Sequence, residues 1–111
     1  MIEADFIRKG SRDGLLFGFT VKGHAGWADR GEDVVCAAVS SAVELACNTI
    51  TDFFGVDAEV IVVPDEGRIE LYLPPFAVKD DSPSVKLISS LMEHLIFISE
   101  DYPGTVSVTV R

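Results

Sequence analysis

The sequence predicts an α+β fold: a single domain, residues 1–111, with the element order ββαββαβ, a mainly antiparallel sheet and two helices packed on it. Two long segments carry apolar residues at helical spacing, which predicts two amphipathic helices. Five short segments are alternating or β-branched and are flanked by turn residues, which predicts strands. A length of 111 residues and an apolar fraction of 48% suffice for one domain with a two-layer core.

Two strands are predicted at the start of the chain. In residues 2–8 apolar side chains alternate with acidic ones, as expected for a half-buried strand. Residues 11–14, Ser-Arg-Asp-Gly, are typical of a turn, and residues 15–22 form the second predicted strand. The short connection predicts that these two strands pair as an antiparallel hairpin.

The strongest helix prediction covers residues 34–54. Its apolar face has helical spacing and consists of Val35, Val39, Ala42, Val43, Ala46, Ile50, Phe53 and Phe54. Asp33 is a suitable N-cap residue and Gly55 a suitable C-cap residue. The preceding residues 23–32 contain three glycines and no apolar period, so we predict a loop there.

The second half of the chain predicts three strands and one helix. The strands are rich in β-branched and apolar residues: residues 58–63, 68–73 and 105–110. The first two are joined by Pro-Asp-Glu-Gly, which predicts a second hairpin. After a loop at 74–81, Ser82 is the predicted N-cap of the second helix, with Pro83 in the first turn. Tyr-Pro-Gly at 102–104 ends that helix.

The charge of the chain restricts its partners. Eighteen acidic and nine basic residues give a net charge of −9, which repels phosphate backbones, so we expect no direct binding of nucleic acid. The same charge would attract a basic protein or peptide. Plain solubility is the alternative explanation of the acidic surface, and charge alone does not separate the two.

The location expected from the sequence is the cytoplasm, without membrane association. Apolar runs such as residues 60–64 and 95–98 are far shorter than the ~20 residues that cross a bilayer. The first residues, Met-Ile-Glu-Ala-Asp, lack the basic flank and apolar stretch of a secretory signal.

The two cysteines are predicted to be free thiols. Cys36 and Cys47 are 11 residues apart in one predicted helix, so their backbones are separated by ~16 Å at ~1.5 Å per residue. A disulfide requires Cα atoms about 4.4–6.8 Å apart. Free thiols are typical of a reducing compartment. The chain has no Cys-x-x-Cys and no histidine pair at ligand spacing, so we expect neither a metal site nor a cofactor.

His24 and Cys36 are the candidate catalytic pair. Cys36 falls at about the third position of the predicted helix, where unpaired amides and the helix dipole stabilise a thiolate and could hold an oxyanion. His24 lies in the glycine-containing loop that leads into this helix, and the twelve-residue separation allows the imidazole to reach the sulfur. The alternative is a small buried cysteine and an exposed loop histidine with no shared role.

The segment around these residues resembles a known family. Gly23-His24-Ala25, followed by residues 31–40, Gly-Glu-Asp-Val-Val-Cys-Ala-Ala-Val-Ser, is similar to the motif of the ribosomal-processing cysteine proteases, abbreviated Prp. That motif consists of Gly-His-Ala, a short polar loop with glycine, and Asp-(Ile/Val)-Val-Cys-Ala followed by Ala or Gly, any residue and Ser. The spacing between His and Cys is the same, and the family's length and ββαββαβ order match the chain less specifically.

The resemblance implies an activity and a site. Members of the family remove a short N-terminal extension from a large-subunit ribosomal protein, cutting after a pair of aromatic residues. The catalytic residues map onto Cys36 and His24. The resemblance also implies a homodimer and a loop, here residues 25–32, that orders when substrate binds. Trp27 and Arg30 in this loop are not part of the motif, so the substrate preference could differ.

Three further residues are candidates for supporting roles, each with an alternative. Asp33 could orient His24 as the third member of a triad, or it could act only as the helix N-cap. Ser40 is four residues after Cys36 on the same helical face, and it either lines the site or packs the helix. Trp27 either contacts substrate or packs onto the body of the domain. Cys47, further along the helix, is predicted to lie in the core.

The leading hypothesis is therefore a cysteine endopeptidase that acts on the N-terminal peptide of a large-subunit ribosomal protein. A non-enzymatic ribosome-assembly factor that binds a basic ribosomal protein is the first alternative, and it would need neither His24 nor Cys36. A thiol redox sensor is the second alternative, and the lack of a resolving cysteine near Cys36 argues against it.

Overall fold

The structure, a computed structural model, describes residues 1–10, 14–23 and 30–111, with residues 30–33 described by their backbone alone. Its main elements are β1 (Ile2–Arg8), β2 (Leu16–Lys22), α1 (Arg30–Asn48), β3 (Glu59–Val63), β4 (Arg68–Tyr72), α2 (Pro83–Asp101) and β5 (Val106–Val110). The predicted fold class and the order ββαββαβ are confirmed.

The sheet has the strand order β3-β4-β2-β1-β5 within the described residues. Both predicted hairpins are confirmed: β1 pairs antiparallel with β2, and β3 pairs antiparallel with β4. The strands β2 and β4 are also antiparallel, whereas β1 and β5 are parallel. The turn between β3 and β4 contains Gly67, whose φ of +59° lies in the left-handed region that favours glycine. The predicted turn at 11–13 lies outside the described residues.

The core lies between one face of the sheet and the two helices. Phe6 and Phe19 are fully buried on adjacent strands, with their ring centroids 5.9 Å apart. The helices contribute buried side chains to the same core: Val35, Val39, Val43, Ala46, Ile50, Val85, Ile88, Leu91 and Leu95. The prediction that Phe53 and Phe54 belong to this apolar face is wrong, because both are exposed. The opposite face of the sheet is polar and carries ion pairs such as Lys22–Glu3 and Arg111–Asp5. Within the described residues, no helix packs on this second face of the sheet.

The first helix differs from its prediction at both ends. It begins at Arg30, so the predicted start at residue 34 with Asp33 as N-cap is wrong, and Asp33 is the fourth residue of α1. Acidic residues are favoured in a first helical turn by the helix dipole, which lets the sequence Arg-Gly-Glu-Asp extend the helix. At its C-terminus α1 continues into a π-helical turn, Thr49–Phe53, and Gly55 follows with φ +67° as predicted.

The second helix agrees with its prediction. The hydroxyl of Ser82 accepts a hydrogen bond from the backbone N–H of Val85 at 3.4 Å, and Pro83 occupies the first helical position. The helix ends at Asp101, immediately before the Tyr-Pro-Gly stop. Because α2 connects β4 to β5, it carries the chain across the sheet to the edge beside β1.

The stretch Val34–Phe53 is long and apolar enough to cross a membrane, with a mean hydropathy of 1.5. Serine, glutamate, asparagine and threonine interrupt this stretch, so it does not stand out as a continuous apolar run in the sequence. It is weak support for a membrane span, because the core helix of a globular domain has the same properties. Here Val35, Val39 and Val43 from this stretch are buried in the core.

Candidate active site

Cys36 lies in the second turn of α1, as the seventh residue of the helix. The predicted third position is wrong because the helix begins four residues earlier than expected. In an α-helix the first four amides have no intrahelical acceptor, and these belong to residues 30–33 here. Cys36 is a free thiol and is partly exposed, as a reacting group must be.

The thiol faces a small cavity of about 40 Å³ at one end of the sheet. Its walls come from α1 and from the ends of three strands: Ile2, Val21, Gly23, Cys36, Val39, Ser40, Val43, Gly67 and Ile69. The strand register brings residues of β2 and β4 together in this wall, because Val21 at the end of β2 pairs with Ile69 at the start of β4. The N-terminal half of α1 therefore packs across the end of the sheet where β2 stops and β4 begins.

Gly23 lines this cavity and directly precedes His24 in the sequence. Its φ is +134°, and a Cβ there would lie 2.8 Å from the carbonyl oxygen of Met1 and 2.9 Å from Cα of Ile2. A side chain at this position would therefore collide with the backbone at the start of β1. The next residue in the sequence is His24. The structure thus locates the residue before the predicted catalytic histidine at the cavity that Cys36 lines.

The other predicted site residues are placed to different extents. Ser40 is exposed and lines the same cavity as Cys36, which confirms that the two residues share a face of α1. Asp33 lies in the first turn of α1, and its side chain is outside the described part of the chain. His24, Trp27 and most of the predicted loop 25–32 also fall outside the described residues, so their predicted roles stay predictions.

Cys47 differs sharply from Cys36 in its surroundings. It is buried in the core, as predicted, with 9% of its surface exposed. Burial and the nearby carboxylate of Glu44 raise the pKa of its thiol to about 11. At neutral pH only about one such thiol in ten thousand is ionised, so Cys47 is a poor nucleophile.

A polar cluster on the open face of the sheet was missed by the sequence analysis. Arg68 at the start of β4 forms ion pairs with Glu66 and Glu70, and the hydroxyl of Tyr72 donates to Glu70. The hydrogen bond from Tyr72 and the charge of Arg68 lower the pKa of Glu70, although its burial opposes the shift. The alternation Arg-Ile-Glu-Leu-Tyr was a signal for these side chains, because it puts the three polar residues on one face.

A larger groove of about 400 Å³ lies between α1 and α2, and it does not include Cys36. Its walls are mostly small and apolar residues from the two helices, with His94 at its rim. Among the described residues no three histidine, cysteine or carboxylate side chains cluster as a metal site would require. Of these two cavities, only the small one at the end of the sheet is lined by a cysteine.

The chain matches known proteins over its full length. The family model for cysteine protease Prp matches residues 1–107. A ribosomal processing cysteine protease Prp from Bacillus subtilis (strain 168) is 30% identical, and the alignment covers 100% of this chain and 98% of the relative.

Solved structures share the fold. SMU.848 from Streptococcus mutans is 28% identical with a TM-score of 0.83, covering 99% of this chain and 93% of that one. An essential ribosomal processing protease Prp from S. aureus, solved with a covalently linked product peptide, is 19% identical, also with a TM-score of 0.83 and full coverage of both chains. The resemblance seen in the sequence around Gly23 and Cys36 is thereby confirmed, and the chain belongs to the Prp family of ribosomal processing cysteine proteases.

Proposed function

We propose that this protein removes the N-terminal extension of a large-subunit ribosomal protein, with Cys36 as the nucleophile and His24 as the general base. Its membership of the Prp family supplies the class of reaction, and the related enzyme of Bacillus subtilis is named for ribosomal processing. The assignment of the two catalytic residues rests on the chain's own motif and on the cavity at the end of β2.

The observation that carries the proposal is the shared cavity of Cys36 and Gly23. A general base must come within hydrogen-bond reach of the proton that it removes, about 2.6–3.2 Å between heavy atoms. The residue after Gly23 is the histidine of the motif, so a single peptide unit separates the cavity wall from the imidazole-bearing residue. The other histidine of the chain, His94, lines a different groove.

The reaction proceeds in two steps through a thioester. His24 takes the proton of Cys36, or the two rest as imidazolium and thiolate, and the sulfur attacks the scissile carbonyl. The unpaired amides in the first turn of α1 are the donors nearest in the chain for the resulting oxyanion. His24 then protonates the leaving amine, which departs, and water hydrolyses the thioester to release the second product.

The substrate is a basic polypeptide. Ribosomal proteins bind the phosphate backbone of RNA and are therefore rich in positive charge. The net charge of −9 on this chain attracts such a partner and raises the rate of encounter. The same charge disfavours direct contact with the RNA. We place the enzyme in the cytoplasm, where ribosomal proteins are made and thiols stay reduced, as a homodimer on the basis of the family resemblance.

The test is cleavage of a synthetic peptide that spans the N-terminus of the large-subunit ribosomal protein from the same organism. Mass spectrometry should find one internal cut with the wild-type protein. Cys36→Ala and His24→Ala should each abolish this cut. Both variants should keep the stability of the wild type within about 1 kcal/mol, because Cys36 is only partly buried and His24 belongs to a predicted loop.

Two results would contradict the proposal. Normal cleavage by Cys36→Ala would remove this residue from the nucleophile role. Tight binding of the peptide without any cut would favour the alternative of a ribosome-assembly factor, since such a factor needs the acidic surface and not the thiol. Circular dichroism of each variant is the control for folding.

A further inference from the structure

The edge strand β3 has two valines that the helices leave uncovered. Val60 pairs with Leu71, and Val62 pairs with Ile69, so both valines point to the same face of the sheet as the core. Leu71 is fully buried, yet Val60 is 39% exposed and Val62 is 57% exposed. We call these two valines the β3 ledge. In the described sheet, β3 has a neighbouring strand on one side only.

The β3 ledge adjoins the cavity of Cys36. Ile69, the cross-strand partner of Val62, lines that cavity together with Cys36. Directly opposed residues in an antiparallel pair have Cβ atoms about 4.5–5.5 Å apart, so Val62 is one strand spacing from the cavity wall. Val60 is two residues further along the strand, which adds about 7 Å. An apolar surface therefore extends sideways from the cysteine to the edge of the sheet.

The first helix forms another wall of the cavity of Cys36. Cys36, Ser40 and Glu44 are spaced by four residues and share one face of α1. Ser40 lines the cavity beside Cys36, and Glu44 is exposed one turn later. An exposed carboxylate therefore lies on the same helical face as the thiol.

We propose that the β3 ledge is a specificity subsite that receives an apolar side chain of the peptide substrate. This inference rests on the proposed function. A peptide in extended form advances about 3.3 Å per residue, so with its scissile carbonyl at Cys36 it reaches the ledge within two to four residues. The exposed valines match an apolar side chain, and Glu44 with the net charge of −9 suits a basic chain around it.

Position and reach favour a peptide over a second copy of this chain as the occupant. The ledge adjoins the cavity that contains the nucleophile, because Val62 is the cross-strand partner of Ile69 in the cavity wall. The groove between α1 and α2 offers more volume, about 400 Å³, but it has no such continuity with Cys36. Hydrophobic subsites discriminate between side chains that differ in apolar size by roughly 10–200-fold.

The test compares the double variant Val60→Thr/Val62→Thr with Val110→Thr. Threonine keeps the β-branched shape of valine and replaces one methyl group by a hydroxyl. Val110 is the matched control, because it pairs with the buried Phe6, is 40% exposed and lies at the opposite edge of the same sheet. Each protein digests a library of peptides prepared from a whole proteome, and mass spectrometry identifies the residues around every cut that Cys36→Ala does not make.

The wild type and Val110→Thr should both enrich an apolar residue at one position within four residues of the cut. The double variant should lose this enrichment, and kcat/KM should fall about tenfold for a peptide with the apolar residue but stay unchanged for its alanine counterpart. Alkylation of Cys36 by iodoacetamide should proceed at the same rate in all three proteins, which shows that the thiol itself is unaffected.

Equal enrichment in the wild type and the double variant would overturn the proposal, and so would the absence of any enriched apolar position. Failure of the proposed function has a different signature. If the library is cut with ledge-dependent selectivity while the ribosomal peptide stays intact, the β3 ledge is supported and the ribosomal substrate is wrong.

Discussion

A methyl group added at Gly23 should disturb both the fold and the site. With φ at +134°, the new Cβ would lie 2.8 Å from the carbonyl oxygen of Met1 and 2.9 Å from Cα of Ile2. These are backbone atoms at the start of β1, so they cannot rotate away as a side chain would. The strained backbone costs about 1–2 kcal/mol, and overpacking adds about 1–3 kcal/mol. Gly23→Ala should therefore lower the free energy of unfolding by about 2–5 kcal/mol.

Gly104→Ala is the control for a methyl group added at a positive φ without a collision. Gly104 has φ +83°, and a Cβ there meets nothing within 4 Å, so the expected loss is only about 1–2 kcal/mol. Urea unfolding of both variants measures the difference, which contains the collision with the backbone at β1 and the more extreme φ of Gly23. Gly23→Ala should also cleave peptide more slowly, since it displaces the residue that precedes His24. If Gly23→Ala is no less stable than Gly104→Ala, the packing argument at the end of β2 is refuted.

Three further predictions concern thiol reactivity, pH and substrate binding. Brief iodoacetamide treatment near pH 7 should label Cys36 and spare Cys47, whose pKa of about 11 follows from burial; preferential labelling of Cys47 would contradict this. Because Tyr72 and a neighbouring arginine lower the pKa of Glu70, that carboxylate stabilises the fold above about pH 4.5, and the contribution is lost as the pH falls through its lower folded value. Urea midpoints between pH 7 and pH 3 should therefore fall less steeply for Glu70→Gln than for the wild type. Hydrogen exchange of the amides of residues 30–33 should slow when Cys36→Ala binds a substrate peptide, and unchanged exchange would exclude them as oxyanion donors.

Most of the fold was predictable because local pattern and tertiary structure agree in this chain. Both hairpins have turn residues between alternating strands, and both helices have one apolar stripe. The stop at Gly55 and the N-cap at Ser82 were predictable from single residues. The start of α1 was not, because Asp33 suits an N-cap position and a first helical turn equally well.

Only part of the site was predictable, because sequence patterns relate residues that are close along the chain but not residues that are far apart. Cys36 and Ser40 are four residues apart, so helical periodicity alone put them on one face. Gly67 and Ile69 also line the cavity, but only the pairing of β2 with β4 brings them there. The alternation of apolar and polar residues in a strand does not indicate which other strands it pairs with. The exposure of the β3 ledge was not predictable for the same reason, since it depends on which strands the helices cover.

The corrected start of α1 restricts how a substrate can approach the thiol. Amides from residue 34 onwards donate to carbonyls within the helix, so the unpaired donors belong to residues 30–33. Side chains on a helix tilt toward its N-terminus, and the thiol of Cys36 therefore lies over the preceding turn. An oxyanion can use these donors only if the scissile carbonyl enters between the sulfur and the first turn of α1. Gly67 also lines the cavity, and a glycine at this position has no side chain that would obstruct a peptide backbone.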